Sequence, residues 1–109
     1  MKRTSTWGIK LNIAPVQLVI NKEILTDEQD IWTIKMETYD YEKTNYDAMT
    51  EIIFDRENGE CFTTKSKFIQ KQNGFDSFKR VIEKEKEYLI AVKIAIKYIK
   101  ALYEIEDEE

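Results

Sequence analysis

The chain has 109 residues, of which 42% are hydrophobic and 35% charged, values typical of one folded domain with a hydrophobic core. It has no histidine and a single cysteine, which excludes an internal disulfide, a structural zinc site within one chain and nucleophiles activated by histidine. The net charge of −4 comes from residues 104–109, which carry five acidic side chains and leave 17 basic and 16 acidic ones elsewhere.

Alternating hydrophobicity in the first quarter of the chain predicts strands. Apolar and polar residues alternate over 6–13, and a second run rich in β-branched residues covers 16–25. Only Ala14 and Pro15 separate the two runs. Because proline cannot donate a ladder hydrogen bond, the runs are either two strands or one strand bent at the proline. A polar break at 26–30 then predicts a loop.

Three more strands are predicted after this loop. They are residues 31–41, 48–54 and 61–69. Asn58-Gly59, between the last two, is a strong hairpin signal, and a hairpin explains the acidic segment around it better than a calcium loop, whose ligand spacing is missing. In the last strand, strict alternation puts Phe62 and Phe68 on one face and Lys65 on the other.

One long helix is predicted over residues 75–103. Apolar residues recur at three- and four-residue intervals, and no Gly or Pro interrupts the run. Such a helix is roughly 45 Å long at about 1.5 Å per residue. From Tyr88 onward it is apolar nearly all round, apart from Lys93, Lys97 and Lys100. Because a helix of that kind has to be covered on more than one side, we expect it to contact a second surface.

Together these elements predict an α+β fold, with an antiparallel sheet of four or five strands followed by one long C-terminal helix packed on one face. The strands lie within residues 6–69 and the helix at about 75–103. Residues 104–109 form an acidic tail that we expect to fray, and the whole chain, 1–109, is one domain. The segment from Phe75 to Leu89 is expected to cover the sheet, which leaves the rest of the helix for a partner.

The residue patterns needed for catalysis are missing. The glycines Gly8, Gly59 and Gly74 are scattered, so the chain has no phosphate-cradling loop. Carboxylates are plentiful, but those on strands, such as Glu37 and Glu51, fall on the face assigned to solvent, where charged residues are usual. We therefore expect no enzymatic activity, no cofactor and no metal site.

Membrane and secretory signals are missing as well. No apolar run approaches the roughly 20 residues of a membrane span. The opening residues 1–7 include basic side chains but no apolar stretch of the kind found in signal peptides. Cys61 falls in a predicted strand, where a small core or sheet residue is expected rather than a reactive thiol. These features predict a cytoplasmic protein.

The first functional hypothesis is a small, non-enzymatic protein-binding module that acts as an accessory subunit or as an inhibitor of a larger partner. The apolar character of the helix predicts association, either with a second copy as a homodimer or with another protein. The predicted interface residues are Tyr88, Ile90, Ile94, Tyr98 and Leu102. The predicted acidic contacts, which would meet a basic surface, are Asp27, Glu28, Asp30, Glu104, Glu106 and Asp107.

The alternative hypothesis is single-stranded nucleic-acid binding on the exposed sheet face, regulated by the acidic tail. Lysines interleaved with tyrosines are typical of surfaces that contact phosphates and stack bases. The residues of this predicted face are Lys10, Lys35, Tyr39, Tyr41, Lys65 and Lys67. Two points weigh against it: the body of the chain has no basic excess, and both residue types are ordinary on exposed strands.

Overall fold

The computed structural model describes residues 4–14, 16–37, 46–70 and 77–107, which form five strands and one long helix. The elements are β1 (Thr4–Ile13), β2 (Val16–Ile24), β3 (Gln29–Glu37), β4 (Tyr46–Asp55), β5 (Glu60–Gln70) and α1 (Phe78–Asp107). Neighbouring strands are antiparallel, and their order in the sheet is β1-β2-β3-β4-β5. The predicted α+β fold is confirmed, and β1 and β2 are two separate strands.

The helix covers one face of the sheet, which we call the inner face. Alternate residues of the three central strands are buried there, as the two-residue period of a strand requires. They are Val16, Leu18 and Ile20 of β2, Trp32 and Ile34 of β3, and Tyr46, Ala48, Thr50, Ile52 and Phe54 of β4. On the edge strand β1, Ile9, Leu11 and Ile13 pack against this core but stay half-buried. The core therefore lies under the middle of the sheet.

The other edge strand, β5, departs from the predicted alternation. Its register against β4 shifts between Glu51 and Ile52, where β5 accommodates one extra residue. Phe68 therefore packs against the core, whereas Phe62, paired with Ile53, lies on the opposite, outer face and is 50% exposed. The prediction that the two phenylalanines share a face is wrong, because a bulge of one residue reverses a two-residue period.

The turn between β4 and β5 is the predicted hairpin. Asp55 Oδ1 accepts hydrogen bonds from the backbone N–H groups of Glu57 and Asn58, at 3.0 and 3.4 Å, and Oδ2 accepts one from Asn58 Nδ2 at 3.0 Å. Gly59 has a φ of 70°, a left-handed conformation that glycine adopts without a steric cost. Its N–H donates to the carbonyl of Asp55 at 2.8 Å. The Asp55 carboxylate and Gly59 together close the turn.

The described helix has a side-chain cap at its start and extends further than predicted at its end. The Ser77 hydroxyl accepts a hydrogen bond from the N–H of Arg80 at 3.3 Å, which is the geometry of an N-cap. The helix runs on to Asp107, so residues 104–107 of the predicted tail are helical. Tyr103 is buried in the core and holds this end of α1 against the sheet.

The second half of α1 covers the sheet, which reverses the predicted arrangement. The buried side chains of α1 are Tyr88, Ala91, Val92, Ala95, Ile99 and Tyr103. Residues 78–87 contribute no buried side chain. The helix comes close to β2, as its small residues Ala91 and Ala95 allow. The prediction that the segment up to Leu89 covers the sheet is wrong, because apolar residues recur in both halves of the helix and their spacing does not say where it meets the strands.

The close approach of α1 to the sheet can be tested at Ala95, which is fully buried. We expect Ala95→Leu to lower the free energy of unfolding by about 1–3 kcal/mol, because the added atoms overpack the contact. Ala101→Leu is the matched control, since Ala101 lies on the exposed side of the same helix, and we expect a change within about 0.5 kcal/mol. Urea denaturation at low protein concentration measures both, and equal effects would contradict the packing described here.

Candidate functional site

The orientation of α1 is set at one end by Tyr103. Its hydroxyl donates to Asp30 Oδ2 at 2.6 Å and accepts from Trp32 Nε1 at 2.8 Å. Its ring stacks on Phe54, with centroids 3.6 Å apart and planes 3° from parallel. Arg56 Nε lies 3.9 Å from the same carboxylate oxygen of Asp30. The side chain of Tyr103 therefore joins the helix to two strands, β3 and β4, through both polar and apolar contacts.

Asp30 is consequently a core residue and not a surface acid. Its exposed fraction is 1%, and its second carboxylate oxygen, Oδ1, is buried without a hydrogen-bond partner among the described residues. The prediction that Asp30 meets a basic surface of a partner is wrong, because its carboxylate is buried and accepts the hydrogen bond of the Tyr103 hydroxyl inside the fold. A polar residue beside a loop gave no signal that a tyrosine from the far end of the chain would cover it.

Tyr88 sets the orientation of α1 at a second point. Its hydroxyl shares a hydrogen bond with the Thr50 hydroxyl at 2.6 Å and donates to the Ile34 carbonyl at 3.4 Å. Its exposed fraction is 0%, and its ring lies 5.8 Å from that of Phe68, measured between centroids. The prediction that Tyr88 contacts a partner is wrong, because its side chain is buried within the chain's own core and has no free surface.

Because both tyrosines face the sheet, the opposite side of α1 faces away from it. Among the described side chains of α1, five large apolar ones are exposed there or along its flanks: Phe78 at 81%, Ile82 at 39%, Leu89 at 42%, Ile90 at 59% and Ile94 at 46%. The predicted interface residues Ile90 and Ile94 are among them. Tyr98 and Leu102 are half-buried, and Leu102 packs against the core.

The exposed residues of α1 form two lines. Helical spacing places Glu83, Ile90, Ile94, Lys97 and Ala101 along one line opposite the buried residues, and we call this line the outer stripe. A second line, about a quarter turn away at 3.6 residues per turn, holds Phe78, Ile82 and Leu89.

The residues of the second line were missed as a contact surface, because sequence reasoning assigned this half of the helix to the sheet. The available signal was their offset: Ile82 and Leu89 are seven residues apart and both fall outside the line through Tyr88 and Ala95. The exposure of Phe78 could not be read from this spacing, because it depends on where the sheet ends.

The outer face of the sheet carries the lysines predicted to bind nucleic acid. Strand pairing aligns Lys10, Lys35 and Lys67 in one row across the sheet, and Lys65 lies opposite Glu51 in the next row. Tyr39 and Tyr41, the aromatic residues of that hypothesis, lie outside the described residues.

Carboxylates balance these lysines on the described outer face. Away from the turn between β4 and β5, the face also carries Glu23, Glu37, Asp47 and Glu51, so four lysines meet four acids there. Asp55 and Glu60, which pair beside that turn, add two more acids. Lys10 Nζ is 3.6 Å from Glu37 Oε2, and Lys67 Nζ is 3.0 Å from Asp47 Oδ2. A surface that attracts phosphates needs an excess of positive charge, and these residues supply none. No observation here favours the nucleic-acid hypothesis over protein binding.

The remaining acidic residues of the first hypothesis gather at one end of the molecule. Asp27 and Glu28 are exposed in the turn before β3, and Arg56 donates to the carbonyl oxygens of Thr26 and Asp27. Glu104 is exposed and follows Tyr103, whose hydroxyl reaches Asp30 beside that turn. The side chains of Glu106 and Asp107 lie outside those that the structure describes.

The described part of the chain presents neither a metal-binding group nor a membrane-spanning helix. No group of three or more acidic or cysteine side chains there is arranged to hold a metal ion. Within the same residues, no helix is long and apolar enough to cross a membrane. Comparison of the chain with protein-family models, curated proteins and solved structures finds no significant match. The exposed apolar side chains of α1 are therefore the feature of this chain that bears on its function.

Removal of the Tyr103 hydroxyl tests the contact that orients α1. We expect Tyr103→Phe to lower the free energy of unfolding by about 1–3 kcal/mol, because Asp30 and Trp32 lose a buried hydrogen-bond partner while the stacked ring remains. Tyr98→Phe is the matched control, because the Tyr98 hydroxyl forms no hydrogen bond within the described residues. An equal urea midpoint for wild type and Tyr103→Phe would contradict this assignment.

The same tyrosines predict how stability depends on pH. Burial raises the pKa of Tyr88, and burial followed by the hydrogen bond to Asp30 raises the pKa of Tyr103, both relative to the usual 10.0. Because both pKa values are higher in the folded chain, the unfolded chain loses the two tyrosine protons at a lower pH than the folded chain does. The stability that the two tyrosines contribute is therefore complete below the usual pKa and declines as the pH rises through and beyond it.

We expect the urea midpoint to fall above about pH 10 and to fall less steeply in the double variant Tyr88→Phe/Tyr103→Phe. The linkage is wrong if the double variant loses stability with pH as steeply as the wild type does.

Proposed function

We propose that this chain is a cytoplasmic, non-catalytic protein-binding module, which acts as an accessory subunit or inhibitor of a larger partner through the uncovered side of α1. The observation that carries the proposal is the set of five exposed large apolar side chains on a helix whose inner side is already buried. The single cysteine, which cannot form an internal disulfide, fits the reducing compartment.

The energetic reason for association is the apolar area that α1 leaves in water. Burying apolar surface contributes about 25 cal/mol per Å², or about 1.5–3 kcal/mol for a whole isoleucine, leucine or phenylalanine side chain. Phe78 and Ile90 are more than half exposed, so a partner that covers them gains a large part of that amount. Single apolar residues on a surface are ordinary, but several on one helix mark a contact site.

The chemistry of the chain supports binding over catalysis. The chain has no histidine, the most common general acid and base near neutral pH. Among the described residues, the groups with raised pKa values are Tyr88 and Tyr103, and both already serve the packing of α1 on the sheet. Exposed acids at one end, Asp27, Glu28 and Glu104, offer a second contact of negative charge for a partner with a basic surface.

Site-specific photocrosslinking in the cell that makes this chain tests the proposal. A photoreactive phenylalanine analogue replaces Ile94 on α1 or, as a matched control, Ile69 on the outer face of β5. The two positions are 46% and 54% exposed. We expect discrete protein adducts from position 94 and none above background from position 69. We also expect Ile90→Glu, one helical turn away, to abolish the adduct at 94 by placing a charge in the contact.

Two results would overturn the proposal. The first is a yield of adducts from position 94 no higher than that from position 69. The second is an adduct at position 94 that persists unchanged when Ile90→Glu is present, because the apolar side of α1 would then not be the binding surface. Circular dichroism of each variant confirms that α1 is still folded.

A further inference from the structure

We infer that the outer stripe of α1 binds a second copy of this chain in antiparallel orientation, with Ile90 of one copy opposite Ile94 of the other. This inference rests on the proposed function and names the partner of that surface. It follows from the positions of the apolar and charged residues along the stripe, and it gives the two helices opposite directions around a two-fold axis.

The apolar centre determines which residues face each other. In an antiparallel pair, a step toward the N-terminus on one helix matches a step toward the C-terminus on the other. Glu87 precedes Ile90 by three residues, and Lys97 follows Ile94 by three, so these two come level across the pair. Glu83 precedes Ile90 by seven residues and comes level with the position seven after Ile94, next to Lys100.

The charges in this arrangement are complementary. Glu87 of one copy, which lies 3.3 Å from Lys84 of its own helix, comes level with Lys97 of the other copy. Glu83 comes level with the residue after Lys100, and the two-fold axis repeats both matches on the other side. Lys86 comes level with the half-buried Tyr98, an uncharged ring that can accept a cation. In a parallel pair in the same register, each of these residues would instead face its own copy, so acids would meet acids.

Residues 78–87 supply an independent reason for this orientation. They contribute no buried side chain within the described fold, although they begin a helix that is packed on the sheet from Tyr88 onward. An antiparallel copy places its own second half alongside this segment, because the pairing is centred between Ile90 and Ile94. In the pair, each copy covers residues 78–87 of its partner, the part of the partner's α1 that the partner's own sheet does not cover.

The pairing leaves a surface for the larger partner. Phe78, Ile82 and Leu89 lie about a quarter turn away from the outer stripe at 3.6 residues per turn, so they stay accessible in the dimer. Self-association through the stripe and binding of a different protein through this second line are therefore compatible.

Charge reversal tests the antiparallel register. Sedimentation equilibrium of the purified chain measures the dissociation constant of the dimer. We expect Glu83→Lys/Glu87→Lys and Lys97→Glu/Lys100→Glu each to raise it about tenfold or more, since several exposed ion pairs become repulsive together. The variant with all four reversals should return close to the wild-type value. A mixture of the two double variants should form a heterodimer tighter than either homodimer.

The apolar centre has a test of its own. We expect Ile90→Glu/Ile94→Glu to give a folded monomer, and circular dichroism checks the fold. As a matched control, Ile69→Glu places a charge at an equally exposed isoleucine on the sheet and should leave the dissociation constant unchanged. High salt should weaken the wild-type dimer and remove most of the difference between the charge variants.

A wild-type chain that stays monomeric at all accessible concentrations overturns the inference, and so does a dimer unaffected by both double reversals, as expected for a parallel pair. The proposed function fails separately, when neither residue 94 nor residue 89, replaced by the same photoreactive analogue, crosslinks to a protein other than this chain. A monomer that crosslinks from position 94 to a different protein overturns only the inference drawn here.

Discussion

The position of α1 depends on two buried tyrosine hydroxyls that bond to the sheet. Apolar contacts have no strong direction, so the small residues along the buried side of α1 would by themselves allow the helix to slide or turn. Tyr88 and Tyr103 remove that freedom, because each places a hydroxyl next to polar groups that are also buried, at Thr50 and at Asp30. A helix placed differently would leave these groups without partners, at about 1–3 kcal/mol each.

The exposed side of the helix is a consequence of this constraint. Once both tyrosines point to the sheet, Ile90 and Ile94 have to point away from it, although they are as apolar as the residues in the core. Their exposure is therefore built into the packing and does not depend on a loosely held helix. The same rotation brings Glu83 and Lys97 into line with them, which gives the surface both an apolar centre and charged ends.

The two faces of the sheet differ in composition and in what covers them. The apolar residues of the inner face pack against the helix. The described outer face carries lysines and carboxylates, and two lysine–carboxylate pairs there are in contact. Charged side chains on exposed strands discourage the pairing of sheet edges between molecules. The balanced charges of the outer face and the exposed apolar residues of α1 are the reason why we propose α1 as the contact surface.

Local patterns in the chain were enough to predict a sheet of four or five strands, the Asn58-Gly59 hairpin, one long helix and the α+β class, because two-residue and 3.6-residue periods reflect nearest-neighbour geometry. They were also enough to show that α1 has more apolar surface than one sheet can cover. The bulge in β5 places Phe62 and Phe68 on opposite faces. It is a feature of how β4 and β5 pair, so it cannot be read from the hydrophobic period of either strand. Contacts between distant parts of the chain decided which half of α1 is buried, and they put Asp30 inside and Ile90 outside. The physical reason is that burial depends on which groups meet in space, and Asp30 and Tyr103, 73 residues apart in the chain, meet only where the helix packs on the sheet.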